Sequence, residues 1–179
     1  GQGSHAEGSN LELSDDGITF KSPRNVQIEE TINITVTGSQ AFGLNSHAEG
    51  CATLAYGKNT HAEGSDTTAS GNFSHAEGVN TSAIGQGSHA EGSNLEKNRY
   101  DEIVFEEPRR VEVYDGATDD YINITVAGSQ SFGLNSHAEG CSTLAYGKNS
   151  HTEGYHTVAA ANDSHEEGCG CEANDSFAQ

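Results

Sequence analysis

Histidine and glutamate recur along this chain at a fixed spacing. The word Ser-His-Ala-Glu-Gly starts at Ser4, Ser46, Ser74, Ser88 and Ser136, with variants at Thr60, Ser150 and Ser164. Within each run the step is 14 residues, giving His47, His61, His75 and His89, then His137, His151 and His165. An imidazole two residues from a carboxylate supports two kinds of chemistry. It can exchange a proton near neutrality, or it can ligate zinc or nickel. Catalysis asks for one singular, asymmetric constellation, and a pair copied in every repeat argues against an enzyme. The metal alternative rests on His47, His61, His75, His89, His137 and His151, if imidazoles from three chains converge near a shared axis. The plainer expectation is a polar ladder with no metal and no cofactor. Glutamates stacked one rung apart repel, so neighbouring imidazoles are expected to take up protons, with pKa values raised toward or above neutrality.

The cysteines carry less. Cys51 and Cys141 occupy the same place in two blocks, where other repeats have Ser65, Val79 and Tyr155, and they read as free thiols. Cys169-Gly-Cys171 lies near His165, but a single Cys-x-Cys is thin support for a metal site. Cys171 also fits the serine slot of a degraded word, with its side chain pointing inward.

A second word alternates with the first: Thr53-Leu-Ala-Tyr-Gly, Thr67-Thr-Ala-Ser-Gly, Thr81-Ser-Ala-Ile-Gly and Thr143-Leu-Ala-Tyr-Gly. The underlying unit is seven residues, [Ser/Thr]-x-Ala-x-Gly-x-x. Gly at every seventh position would cost a helix about 1 kcal/mol each time, whereas alternation by two is the strand signal and Gly-x-x supplies a corner. One strand face carries only Ser, Thr, Ala and Gly, so it must line something narrow. Two strands and two corners per coil predict a flattened all-β parallel roll with rungs about 4.8 Å apart.

Two related insertions interrupt the run, at 11–38 and 95–128, leaving roll segments at 1–10, 39–94 and 129–179. Each passes through Ile18-Thr-Phe20 or Ile103-Val-Phe105, then Pro23 or Pro108, and ends Ile32-Asn-Ile-Thr-Val36 or Ile122-Asn-Ile-Thr-Val126. Their alternation predicts β-hairpin-like decorations on one corner, and the roll resumes in phase at Ser39 and Ser129. Their tips hold the candidate ligand-binding residues: Asp15, Asp16, Lys21 and Arg24 in the first, and Arg109, Arg110, Asp115, Asp119 and Asp120 in the second. The Arg109-Arg110 pair could meet a carboxylate or phosphate on a surface polymer, or simply pair with Glu106, Glu107 or Glu112.

The interior is too small to hold the roll alone, because burying Ala and Ser yields little against more than about 1 kcal/mol of entropy per ordered residue. The outward positions of the second word form a broken apolar stripe: Phe42, Leu54, Tyr56, Ile84, Phe132, Leu144, Tyr146 and Val158. Covering that stripe with sister chains is expected to make a closed homo-oligomer. The formal charge of −19, from 27 acidic and 8 basic residues, disfavours nucleic acid and anionic membrane as partners. No apolar run is long enough to span a bilayer as a helix.

The paired heptads resemble the head repeats of trimeric autotransporter adhesins of the YadA type. The Ser-His-Ala-Glu-Gly variety is also similar to repeats of Gram-positive surface and prophage tail-fibre proteins. The likeness covers residues 1–8, 39–92 and 129 to about 175. It implies a left-handed roll, three chains around one axis, and an extracellular place on a bacterial surface or phage virion. The implied role is attachment to a host glycan or protein, or else that of a fibre spacer without a ligand of its own. The inserts are not part of that head pattern.

Overall fold

The structure, a computed structural model, describes residues 1–14, 17–29, 32–115 and 120–173. It is an all-β parallel solenoid of 14-residue coils. Eight five-residue strands stack in one sheet: His5–Ser9, His47–Cys51, His61–Ser65, His75–Val79, His89–Ser93, His137–Cys141, His151–Tyr155 and His165–Cys169. The first histidine of each strand is in register with the next, and so is the glutamate two residues after it. The opposing sheet is built of two-residue strands, among them Gln40–Ala41, Leu54–Ala55, Ser82–Ala83, Gln130–Ser131, Leu144–Ala145 and Val158–Ala159.

Two corners per coil turn the chain through left-handed backbone. Asn45, Asn59, Phe73, Asn135, Asn149 and Asp163 hold one corner, and Ala52, Asp66, Asn80, Ser142 and His156 the other, all with φ between 53° and 61°. Asn and Asp reach this region most readily. A corner's freed carbonyls need donors. The inward hydroxyls supply them: Ser46 donates to the Gly43 carbonyl at 2.8 Å, Thr60 to Gly57 at 2.8 Å, and Ser74 to Gly71 at 2.7 Å. The recurring Ser or Thr is thus a buried donor as well as a small side chain. Between the two sheets Ala48, Ala62, Ala76 and Ala90 meet Ala55, Ala69 and Ala83 in one fully buried ladder.

Each insert is two antiparallel hairpins. The first pairs Leu11–Ser14 with Gly17–Phe20, then Arg24–Glu29 with Ile32–Val36. The second pairs Leu95–Lys97 with Ile103–Phe105, then Arg109–Asp115 with Asp120–Val126. The strands flanking each excursion pair directly, His5 with His47 and His89 with His137, so the ladder runs past the inserts unbroken.

The second hairpin of each insert lies down on the short-strand sheet. Val36 packs on Leu54 and Ala52, while Val111, Val113 and Val126 cover Leu144 and Val158. This corrects three of the expected subunit contacts. Leu54, Leu144 and Val158 are fully buried beneath the chain's own hairpins, which seal part of the stripe that sister chains were expected to cover. Tyr56, Ile84, Phe132 and Tyr146 remain half-buried and Phe42 exposed. The open apolar surface lies instead on the first hairpins, where Ile18, Phe20, Ile103 and Phe105 are 72%, 77%, 69% and 62% exposed.

Candidate functional site

Three assemblies of polar side chains stand out: the histidine ladder, two clamps under the inserts, and the tip of the second insert.

In the ladder the rings of His47 through His165 stack face to face, with centroids 4.6–4.9 Å apart and planes within 10°. Parallel register makes this arrangement, because residues at one strand position fall one rung apart. On six rungs Nε2 points toward the glutamate of its own rung, as in His61 to Glu63 at 3.5 Å, His75 to Glu77 at 3.6 Å, and His137 to Glu139 at 3.6 Å. The Nε2 atoms of His47, His61, His75, His89, His137 and His151 are shut off from solvent and have no hydrogen-bond partner.

The expected upward pKa shift is not found. Burial lowers the pKa of His61 and His137, and the neighbouring histidines add to the shift by disfavouring a second positive charge. Stacked imidazoles are poor neighbours once charged, and here that outweighs the glutamates. A depressed folded pKa gives stability that is complete above the unfolded value of 6.5 and is lost as the pH falls. Thermal unfolding should therefore begin at progressively lower temperature from pH 7.5 to pH 5. His61→Gln should shallow that slope, and a flat profile in the parent chain would contradict the assignment.

The clamps correct the reading of Lys21, Arg24 and Arg109 as ligand-binding tips. Lys21 forms an ion pair with Asp66 on the roll. Arg24 donates to the carbonyls of Ala52 at 2.9 Å and Thr67 at 2.7 Å, and to the Thr68 hydroxyl at 3.1 Å. At the matching place in the second insert, Arg109 donates to the Ser142 carbonyl at 2.9 Å. Glu106 stands where the first insert has Lys21, and His156 where the roll has Asp66. Glu106 pairs with His156 and accepts from Tyr155 at 2.9 Å and Ser142 at 2.7 Å. The two clamps are the same device with the charges exchanged.

Burial acts to raise the pKa of Glu106, but the Ser142 and Tyr155 hydrogen bonds and the adjacent His156 outweigh it and leave the carboxyl below its ordinary value. Burial, together with the Glu106 acceptor, pushes the Tyr155 phenol up to about 12. Cys141 lies beside the same carboxylate, and burial plus that charge raises its thiol, which makes it a poor nucleophile. Sequence reasoning missed His156 and Asp66 and named Glu106 only as a partner for the arginines, although Glu106 departs from Lys21 at an otherwise matching position.

At the second tip, Asp120 is exposed and Asp115 is half-buried, whereas the exposed Arg110 lies at the base of the hairpin, opposite Thr125. Tyr114 and Tyr121 pair edge to face across the hairpin, centroids 5.4 Å apart. Asp15, Asp16 and Asp119 lie outside the described residues. All four cysteines are free. Among the described residues no helix is long and apolar enough to cross a membrane. No known protein-family model matches this chain, and no curated protein matches it.

Proposed function

We propose that this chain is a non-enzymatic segment of an extracellular fibre, on a bacterial surface or a phage virion, that holds its inserts out for attachment to a host surface. Three parallel copies with left-handed coils make the fibre, and the open apolar hairpins carrying Ile18, Phe20, Ile103 and Phe105 contribute to their contacts. The observation that carries the attachment reading is the second tip. There two tyrosines and Asp120 gather at the end of a hairpin whose base is clamped to the roll. Aromatic rings stack on the apolar faces of sugars, and a carboxylate at their rim accepts from sugar hydroxyls, so a surface glycan is the ligand class.

The test is binding of the chain to glycan arrays and host cells, with Tyr121→Ala and Asp120→Asn as variants. Each is expected to lower binding at least tenfold without changing unfolding, and binding indifferent to both variants would overturn the tip assignment. A second reading, a spacer with no ligand of its own, draws support from the commitment of Lys21, Arg24 and Arg109 to the roll. It predicts no binding even by the parent chain. Sedimentation tests the assembly, and a single chain of 18.8 kDa in solution would sink the trimer.

A further inference from the structure

The gap between imidazole and carboxylate along the ladder is unusual for either group alone. Six rungs place Nε2 3.4–3.6 Å from a glutamate oxygen of the same coil: His5 with Glu7, His47 with Glu49, and onward to His137 with Glu139. A protonated Nε2 would close on a carboxylate to about 2.7–2.9 Å. A bare Nε2 aims a lone pair at a negative oxygen, which is repulsive without a cation between them. The observed spacing matches two ligands each held about 2.0–2.1 Å from one tetrahedral ion, which stand about 3.4 Å apart.

Two further facts point the same way. The Nε2 atoms of the six ladder histidines from His47 to His151 are buried and unpartnered. The neighbouring rung is within reach as well: in the groups His47-Glu49-His61, His61-Glu63-His75 and His75-Glu77-His89 the three ligand atoms lie within 4.8 Å of one another.

We propose that the ladder is a linear array of sites for a divalent transition-metal ion such as Zn²⁺ or Ni²⁺, each held by the His Nε2 and Glu oxygen of one rung. The third ligand is the imidazole of the next rung after a small movement of its ring, and water completes the shell. Because consecutive sites share a histidine and like charges repel, every second rung fills. The mixed nitrogen and oxygen donor set selects these ions over calcium and magnesium, which take oxygen ligands. The site is complete within one chain, so it stands or falls independently of the trimer and of any glycan.

The test uses the full chain without an affinity tag, stripped of metal, with Cys169→Ser and Cys171→Ser to remove competing thiols. Calorimetric titration with Zn²⁺ is expected to give roughly three ions per chain at micromolar or tighter affinity. Co²⁺ should show the intense visible bands of a tetrahedral site, and Ca²⁺ should not compete. The triple variant Glu63→Gln, Glu77→Gln, Glu91→Gln keeps shape and ring stacking while removing one ligand per rung. It should lose about half the sites, or at least tenfold in affinity. Replacing His61, His75 and His89 with Gln should do the same. If the histidine variant fails to fold, the glutamate variant decides. Fewer than one Zn²⁺ per chain, or a titration unchanged by the Glu→Gln substitutions, would overturn the proposal.

Discussion

Gly64→Ala is expected to destabilise the solenoid by at least about 3 kcal/mol. Gly64 has φ of +106°, a conformation costly for any residue with a β-carbon. The larger cause is the next rung. A β-carbon at Gly64 would sit inside the shell of the Gly78 carbonyl oxygen and 3.0 Å from that residue's nitrogen and carbonyl carbon. Backbone cannot swing aside as a side chain can, so the rungs must separate. That lengthens the hydrogen bonds between coils and unstacks His61 and Glu63 from their neighbours. Gly170→Ala is the control: φ there is +67°, but nothing lies within 4 Å of the new carbon, so the expected loss is only about 1–2 kcal/mol. Urea unfolding followed by circular dichroism measures both, and equal losses at the two sites would refute the close-packing account.

Glu106→Ala is expected to cost about 3 kcal/mol, and Glu106→Lys more. The carboxylate is the common acceptor for Ser142, Tyr155 and His156 beneath the second insert. Truncating it leaves a phenol and a hydroxyl without their partner in a half-buried place, and lysine adds a cation beside Arg109 and His156. Because the folded pKa of Glu106 is depressed, its contribution is present above the ordinary value of 4.5 and is lost as the pH falls through the lower folded value. Unfolding of Glu106→Gln should therefore differ from the parent at pH 7 and converge with it in strong acid. A constant difference across that range would remove the carboxylate charge from the explanation. Loss of the clamp should show first as protease sensitivity of the second insert, ahead of global unfolding.

The roll was legible because its signal is repeated. Ser-x-Ala-x-Gly leaves few ways to arrange side chains, and fifty residues of constant phase gave the register of both sheets directly. The inserts were legible as hairpins from the alternation in Val111-Glu-Val113 and Ile122-Asn-Ile-Thr-Val126. Where they dock was not. Nothing local in Leu144 or Val158 says whether the covering surface is a sister chain or a hairpin of the same chain 18 to 47 residues earlier, since both present Val and Ile. The charged residues misled for a related reason. Lys21 and Arg109 read as exposed because their partners, Asp66 and the Ser142 carbonyl, come from coils distant in sequence. The histidine pKa direction failed on magnitude, because the like-charge and burial penalties of stacked rings outweighed glutamates that are only partly shielded from water.

The oppositely charged clamps have a consequence for how the chain finds its frame. In the ladders one coil is nearly a copy of the next, so a slip by a whole coil would preserve almost every backbone bond and inward side chain. Such a chain is prone to settle out of step with itself. Lys21 meets an acid only on the coil bearing Asp66, and Glu106 meets an imidazole only on the coil bearing His156. A one-coil slip sets Lys21 opposite Asn80 instead. The two inserts therefore act as address labels on an otherwise anonymous stack, and exchanging their charges should produce misaligned, slowly refolding molecules rather than merely weaker ones.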